Sequence, residues 1–131
     1  SGVFHNCAFV KIKKEYPHQA RRVMHAIWGA GQMAFTKFII VVDEHVNVHD
    51  EQDVLFHLFS NCDPQRDSEI VHGPVDILDH AAPVMGYGTK IGIDATRKWH
   101  SEGFARQWPD AIVMDEQTKH YVDSVWDKLG L

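Results

Sequence analysis

The apolar run at residues 35–42 constrains the fold more than any other part of the sequence. It is almost continuous, and Asp43, Glu44 and His45 follow it at once. A strand with one face in water alternates apolar and polar side chains, whereas a strand covered on both faces is apolar along its length. Strands of the second kind occur in sheets that helices cover on both sides. The run therefore predicts an α/β fold with this strand inside the sheet.

Strand and helix patterns precede this run. Residues 4–13 alternate with the two-residue period of a strand, and residues 18–28 place apolar side chains on one helical stripe before Gly29 and Gly31 end the helix. Pro17 suits the first turn of that helix, because its missing amide hydrogen has no partner there. These segments predict a strand and a helix ahead of the buried strand.

A second helix and a third strand follow the run. Asp50 can cap a helix that Asp63 and Pro64 end, and residues 69–72 form a short third strand. The buried stripe of this helix is predicted to comprise Val54, Leu55, Leu58 and Phe59. Each crossover is long enough to make the strands parallel with right-handed connections. We therefore predict a βαβαβ core with a mostly parallel sheet, in one domain over residues 1–131.

The segment at residues 75–109 has a different character, since proline and glycine interrupt it repeatedly and only residues 90–94 form a strand pattern. A mostly irregular segment of this length usually binds something or is buried against another surface. A helix is predicted at residues 115–129, within a terminal region at 112–131. Its apolar stripe consists of Val122, Val125, Trp126 and Leu129, and Gly130 ends it. The chain should thus carry a long irregular arm and a C-terminal amphipathic helix.

Composition and charge exclude several classes of protein. The formal net charge of −5 argues against nucleic acid as a partner, because binding to phosphates draws on concentrated positive charge. The longest uninterrupted apolar run, at 38–42, is far shorter than the roughly 18 residues of a membrane-spanning helix. Cys7 and Cys62 form no CxxC motif, so we expect reduced thiols in a cytoplasm, with pairing only if the fold brings them together. The sequence starts without Met, and we expect a piece of a longer chain.

The first candidate for chemistry is the pair His45 and His49. Together with neighbouring carboxylates these side chains can hold zinc, at the strand end where open α/β sheets place their sites. Histidines four residues apart must lie on one helix to converge, however, and Asn47 is typical of a turn. A solvated turn with a helix cap is the favoured interpretation. A small metal hydrolase using His45, His49 and Asp79 is retained as an alternative.

The irregular segment offers two more candidates. Asp79 is adjacent to His80, so that a carboxylate could orient an imidazole for proton transfer, but no nearby Ser or Cys completes a nucleophile arrangement. A polar turn is the favoured interpretation. An anionic group could be held around Gly92 by Lys90, Asp94, Arg97 and Lys98, although no phosphate-loop motif is present.

The large apolar side chains are simpler to interpret. Tryptophan dominates buried contact energy, so the four tryptophans are expected to be core or interface anchors. They are Trp28, Trp99, Trp108 and Trp126. Met24 and Met33 are most simply core filler.

Several ordered blocks of sequence carry a stronger signal than any of these motifs. The blocks are residues 47–50 (Asn-Val-His-Asp), 63–67 (Asp-Pro-Gln-Arg-Asp), 73–76 (Gly-Pro-Val-Asp), 78–83 (Leu-Asp-His-Ala-Ala-Pro) and 90–99 (Lys-Ile-Gly-Ile-Asp-Ala-Thr-Arg-Lys-Trp). In this order they resemble the carboxyl-terminal part of the UbiD-type decarboxylases, which include 3-octaprenyl-4-hydroxybenzoate carboxy-lyase of ubiquinone synthesis. Residues 4–6 and 14–38 look similar too, so the resemblance covers nearly the whole chain.

The resemblance implies a cytoplasmic carboxy-lyase for an aromatic acid such as a polyprenyl-4-hydroxybenzoate, with membrane association of the complete enzyme left open. Its implied cofactors are prenylated FMN, a divalent metal such as manganese, and potassium. Loss of carbon dioxide from an sp² carbon leaves an electron pair for which an adduct with such a cofactor is the sink. The family's catalytic, flavin and metal motifs lie in the preceding domain and do not appear here. The resemblance therefore assigns this chain no catalytic, cofactor-binding or metal residue, and implies that it is inactive alone.

The resemblance also implies partners. In such enzymes the carboxyl-terminal domain looks like an oligomerisation module that closes over the substrate side of the flavin. The expected partners are the missing N-terminal domain and further copies of the chain, which the helix at 115–129 would contact. Residues 83–90 would face the substrate channel, and the substrate-facing set comprises His80, Pro83, Met85, Tyr87 and Lys90. The alternative from another class is a free-standing α/β module that binds a ligand or regulates without catalysis.

Overall fold

The structure, a computed structural model, describes residues 6–128 of the chain. Expectations for residues 4–5, Leu129 and Gly130 lie outside the described residues. The four strands are β1 (Cys7–Ile12), β2 (Phe38–Asp43), β3 (Ser68–Pro74) and β4 (Tyr87–Asp94). The helices are α1 (Gln19–Trp28), α2 (Glu51–Asn61), α3 (Pro64–Asp67) and α4 (Glu116–Val125), and short 3₁₀ turns span Gln32–Phe35, His100–Glu102 and Trp126–Lys128.

The four strands form one sheet in the order β1-β2-β4-β3. β2 pairs in parallel with both β1 and β4, whereas β3 pairs antiparallel with β4. The predicted α/β class and mostly parallel sheet are confirmed, but the parallel direction predicted for the third strand is wrong. The connection over residues 75–86 contains no helix that could carry the chain across the sheet, so it returns β4 alongside β3 in the opposite direction.

Helices cover both faces of the central strand. Ile39 and Val41 of β2 pack on the α1 side with Ala20 and Met24, and all four are fully buried. The other side of β2 contributes to a second cluster beneath α2, which contains Ile40, Val42, Val46, Val54 and Ala95. The continuous apolar pattern therefore predicted the burial of β2 on both faces correctly.

Four details differ from the sequence-based expectation. Phe35 belongs to a 3₁₀ turn ahead of β2, and Pro17 precedes α1 because His18 is the cap residue. Asp63 does not end α2, which stops at Asn61. Instead its side chain accepts hydrogen bonds from the first amides of α3. Met33 is 40% exposed, so it is not core filler.

The predicted stripe of α2 is only half buried. Val54 is fully buried and Leu58 packs against the core, but Leu55 and Phe59 are exposed by 39% and 77%. Phe59 lies over an open groove beside Ile91 and Ile93 of β4. The helix is thus too narrow to cover its whole face of the sheet, and apolar surface remains beside it.

The terminal helix predicted at 115–129 is present as α4, whereas the segment predicted as a mostly irregular arm, residues 75–109, contains β4, which is longer than the strand pattern at 90–94. All residues at 105–107 and 109–121 are exposed, and α4 begins where the Asp115 carboxylate accepts a hydrogen bond from the amide of Thr118. Within residues 6–128, no helix has both the length and the apolar character needed to cross a membrane.

Candidate functional site

The carboxyl ends of β1, β2 and β4 meet at one edge of the sheet, which is where open α/β folds bind ligands. Lys14, just after β1, is bound there from three directions. Its Nζ donates to Glu102 Oε2 at 2.6 Å, to Thr96 Oγ1 at 3.0 Å and to the carbonyl of Arg97 at 2.8 Å. This lysine therefore ties the loop after β1 to the loop after β4.

A second lysine closes the same edge. Lys98 Nζ donates to the carbonyl of Asp94 at 2.8 Å, to the Asp94 carboxylate at 3.2 Å and to the carbonyl of Thr96 at 2.6 Å. Asp67 lies 3.7 Å away and also accepts hydrogen bonds from Arg66. We refer to the buried side chains of Lys14, Asp67, Asp94, Thr96, Lys98 and Glu102 as the carboxyl-edge network.

The network leaves its charged groups paired. Burial by itself raises the pKa of Glu102, but hydrogen bonds from Lys14 and from the amides of His18 and Trp99 outweigh it and hold that pKa below its ordinary value. Two of the four residues considered for an anion site around Gly92 are not available to an anion, since Lys98 and Asp94 neutralise each other. The carboxyl-edge network therefore has a structural role, because it holds the loops after β1 and β4 together.

Lys90, the first residue of the motif at 90–99, lies away from this network. It is 3% exposed, and its Nζ donates to the carbonyl of Ala34 at 2.9 Å, 5.6 Å from the centre of the Trp28 ring. Burial lowers the pKa of this ammonium. The Lys90 side chain is thus packed in the protein interior, on the α1 side of β4.

The lowered pKa of Lys90 predicts a rise in stability with alkalinity. The cost of burying the charged amine is fully present below its folded-state pKa, and it disappears as the pH rises toward the ordinary lysine value of about 10.4. The free energy of unfolding should therefore increase between about pH 7 and pH 10 in the wild type, relative to Lys90→Met. Urea unfolding at both pH values measures this. In Lys13→Met, at an exposed lysine, the free energy of unfolding should change with pH as in the wild type. The same pH dependence in Lys90→Met as in the wild type would contradict the prediction.

The opposite edge of the sheet carries the β3–β4 loop, residues 75–86. Lys37, just before β2, anchors it through a salt bridge from Nζ to Asp79 Oδ2 at 2.8 Å. The Lys37 hydrogen bond also lowers the pKa of Asp79. The amide of Val75 donates to the carbonyl of Gly86 at 3.2 Å, and Gly86 has a φ of 76°, which favours glycine. The loop is therefore held in a defined shape.

This loop presents apolar side chains to the outside. We call the exposed apolar side chains of this loop and of the first residue of β4 the apolar tip, and they are Ile77, Leu78, Val84, Met85 and Tyr87. Met85 is the most exposed, at 84%. An apolar surface of this kind on an ordered loop is typical of a binding or docking surface.

The predicted substrate-facing residues separate into two environments. His80, Pro83, Met85 and Tyr87 are exposed on or beside the apolar tip. Lys90 is buried on the other face of β4, because successive strand residues alternate between faces. Asp79 is bound to Lys37, so the predicted proton-transfer pair with His80 is better interpreted as a polar turn.

The histidines near β2 do not form a metal site with Asp79. His45 and His49 are exposed, and the His45 ring packs 5.2 Å from that of His57, centroid to centroid. Across residues 6–128, no cluster of three or more His, Cys, Asp or Glu side chains is arranged to hold a metal ion. The alternative of a small zinc hydrolase is not supported by this geometry. Cys7 and Cys62 are both free thiols.

Sequence reasoning missed an apolar groove on the α2 face of the sheet. Its volume is about 370 Å³, and the groove is lined by Leu58, Phe59, Cys62, Pro64, Ser68, Ile91 and Ile93. The alternation of Ile91 and Ile93 along β4 indicated an apolar face, but only the width of α2 relative to the sheet leaves it open.

Comparison with known proteins identifies the family. The family described as 3-octaprenyl-4-hydroxybenzoate carboxy-lyase C-terminal domain matches residues 1–95. An uncharacterised protein of Archaeoglobus fulgidus is 50% identical over 129 residues, and one of Aquifex aeolicus is 48% identical over 130. These alignments cover 98% and 99% of this chain, but only 27% of each relative.

Solved structures share the fold. The vanillic acid decarboxylase of Sedimentibacter hydroxybenzoicus, in open form, matches 94% of this chain and 27% of its own, with a TM-score of 0.80 and 24% identity. The UbiD-class enzyme HmfF from Pelotomaculum thermopropionicum, in complex with FMN, matches 86% of this chain and 24% of its own, with a TM-score of 0.73 and 24% identity. By its family match, the chain belongs to the carboxyl-terminal domain family of the UbiD-type carboxy-lyases.

Proposed function

We propose that the chain is the carboxyl-terminal domain of a larger non-oxidative decarboxylase that acts on an aromatic acid. The observation that carries this proposal is the family match over residues 1–95, together with relatives of which this chain spans only 27%. The names of two structural neighbours, a vanillic acid decarboxylase and a 3,4-dihydroxybenzoic acid decarboxylase from Enterobacter cloacae, support an aromatic acid as the substrate class. The relatives' length argues against the free-standing module.

The finer form of the proposal is a polyprenyl-4-hydroxybenzoate substrate in quinone biosynthesis, in a cytoplasmic enzyme. The description of the matching family supports this substrate. The apolar tip is compatible with it, because a long prenyl chain needs apolar surface near the reacting ring.

Neither the carboxyl-edge network nor the groove beside α2 has the chemistry of a flavin site. The cations Lys14 and Lys98 are held by carboxylates and carbonyls of the same chain, so they are not available to a phosphate. The lining of the groove is mostly apolar and contains no Asp, Glu, Lys, Arg or His side chain. In our proposal, prenylated FMN, a divalent metal such as manganese, and potassium are bound by parts of the protein outside this chain.

The chain's own role in this proposal is closure and assembly. The apolar tip, with His80 and Pro83 beside it, would cover the substrate and exclude water when the domains close. The terminal region at 112–131 would pack on another copy of the chain. Its exposed apolar residues, including Val113 and Trp126, support this second role, because such surface is usually covered in an assembled protein.

Activity measurements test the proposal directly. Carbon dioxide release is measured from 4-hydroxybenzoate, vanillic acid and 3,4-dihydroxybenzoic acid, with prenylated FMN, Mn²⁺ and K⁺ supplied. We expect release by the longer protein that carries this domain and none by the 131-residue chain alone. Release by the chain alone would overturn the closure role, and a longer protein inactive on all three acids would overturn the aromatic substrate class.

Assembly is tested separately by static light scattering on the chain with and without residues 112–131. We expect truncation to reduce the mass from that of an oligomer to that of a single chain. An unchanged mass would show that the terminal region does not join copies.

The role of the apolar tip gives a further prediction for the longer protein. Met85→Asp should reduce kcat/KM by at least about tenfold, because burial of a Met side chain contributes about 1.5–3 kcal/mol and a carboxylate opposes it. The fold should be unaffected, since Met85 is 84% exposed. Phe56→Asp, at an exposed position on α2, is the matched control. Equal kinetics for both variants would contradict a substrate-facing tip.

A further inference from the structure

We propose that Lys37 is a positioning residue for the decarboxylation, because its ion pair with Asp79 fixes the place of the apolar tip over the substrate. The proposal rests on the role proposed above for the tip, and it adds the residue that sets the position of the tip. Three observations support it: Lys37 is fixed to the sheet, Asp79 organises the loop, and the loop packs against the turn that carries Met85.

Lys37 is fixed to the sheet through its backbone. Its carbonyl accepts a hydrogen bond from the amide of Ile91 in β4 at 2.8 Å. Its Nζ contacts both carboxylate oxygens of Asp79, at 3.0 Å from Oδ1 and 2.8 Å from Oδ2. The Asp79 side chain is only 7% exposed, so water screens this ion pair less than a pair on the open surface. The ion pair therefore joins the β3–β4 loop to the sheet.

Asp79 organises the turns in the first half of the loop. Its carboxylate accepts a hydrogen bond from the amide of Ala81 at 3.0 Å. Its amide donates to the carbonyl of Asp76 at 3.0 Å, and its carbonyl accepts from the amide of Ala82 at 3.2 Å. The Asp76 carboxylate in turn accepts from the amide of Leu78 at 2.8 Å. A shift of Asp79 would therefore move residues 76–82 together.

This half of the loop packs against the turn that carries Met85. Residues 84–87 form that turn, which a backbone hydrogen bond of 3.1 Å closes. Ile77 Cγ2 lies 3.9 Å from the position that a Cβ on Gly86 would take, which is an ordinary van der Waals distance. Movement of residues 76–82 would therefore displace the tip as well.

The position of the tip matters to the reaction because a group misplaced by about 1 Å can reduce a rate by about a hundredfold. In this proposal Lys37 contacts neither the substrate nor the cofactor. Its effect on the reaction passes through Asp79 and the tip, so it positions the site and takes no part in the chemistry.

Steady-state kinetics of the longer protein test the proposal, with the three aromatic acids and the cofactors named above. Lys37→Met should reduce kcat/KM by about tenfold, the usual effect of losing a hydrogen bond to a charged group. Lys37→Arg should retain the wild-type value, because a guanidinium can bind both carboxylate oxygens. Asp79→Asn removes the charge of the partner and should match Lys37→Met. Arg21→Met, which removes the partly exposed ion pair of Arg21 with Glu69, is the matched control and should leave kcat/KM unchanged.

A double variant distinguishes positioning from a merely structural role. In a Met85→Asp background, where the tip no longer covers the substrate, Lys37→Met should cause no further loss of kcat/KM. Hydrogen exchange of peptides spanning residues 76–87 should be about tenfold faster in Lys37→Met than in the wild type or in Lys37→Arg. Three outcomes would overturn the proposal: unchanged kcat/KM in Lys37→Met and Asp79→Asn, losses that add in the Met85→Asp background, or unchanged exchange.

Failure of this proposal is distinguishable from failure of the proposed function. A longer protein that releases carbon dioxide from one of the acids, with kcat/KM insensitive to Lys37→Met, would leave the decarboxylase assignment intact and remove the positioning role. A longer protein inactive on all three acids would overturn the aromatic substrate class, and the positioning role with it.

Discussion

Lys14→Met is expected to lower the free energy of unfolding by about 3–5 kcal/mol, the typical cost of removing one partner of a buried ion pair. The ammonium of Lys14 is bound to the Glu102 carboxylate at 2.6 Å, and both side chains are at most 5% exposed. Its loss leaves a buried carboxylate with only two backbone donors, the amides of His18 and Trp99. Urea unfolding at neutral pH measures the effect.

Two variants separate this cost from a general effect of removing a lysine. Lys13→Met, at the neighbouring exposed position, should change stability by less than about 0.5 kcal/mol. In the double variant Lys14→Met with Glu102→Gln, the loss should be smaller than in Lys14→Met alone, because no uncompensated charge remains. A double variant as unstable as the sum of its parts would show that the pair is not coupled.

Gly92→Ala is expected to destabilise the chain by about 1–3 kcal/mol through overpacking. A Cβ at this position would lie 2.5 Å from Met24 Sδ, which is closer than atoms pack, and 3.1 Å from Trp28 Cη2, which is a tight contact. Met24 is fully buried, so its side chain has no free space to enter. The Met24 side chain, or α1 with it, would have to move away from β4, and thermal or urea unfolding would record the loss.

The same strand provides the control. At Gly88, also buried, an added Cβ would meet Ala82 and Val75 at an ordinary 3.5 Å, so Gly88→Ala should be neutral within about 0.5 kcal/mol. Met24→Ala combined with Gly92→Ala should cost less than the sum of the two single substitutions, since the space vacated by one accepts the other. Equal losses for Gly88→Ala and Gly92→Ala would contradict the proposed close approach of α1.

Local sequence patterns predicted the helices and strands well, because the apolar pattern of a strand and the cap of a helix involve residues close together in the sequence. The apolar residues at 38–42 reflect burial of β2 on both faces, and the Asp50 carboxylate binds the first amides of α2 as predicted for a cap. The Asp115 carboxylate caps α4 in the same way. The family resemblance rested on ordered blocks of sequence, and the match over residues 1–95 confirms it.

The remaining features depend on distant parts of the chain. Lys14 and Glu102 are 88 positions apart, and no periodicity links them. The direction of β3 depends on how the β3–β4 loop returns, and the groove depends on how far α2 extends over the sheet. The substrate-facing set implied by the resemblance includes both Lys90 and Tyr87, whereas strand alternation places their side chains on opposite faces of β4.

The carboxyl-edge network and the apolar tip lie at opposite ends of the sheet, and this separation has an evolutionary consequence. In the carboxyl-edge network, a single substitution leaves a buried charge without its partner. Residues there are therefore expected to be substituted only in compensating pairs. In the exposed loop at 75–86, few side chains depend on a charged partner apart from Asp79, which is bound to Lys37. Its side chains can therefore be substituted one at a time. Diversification among proteins built on this domain is therefore expected to concentrate in that loop.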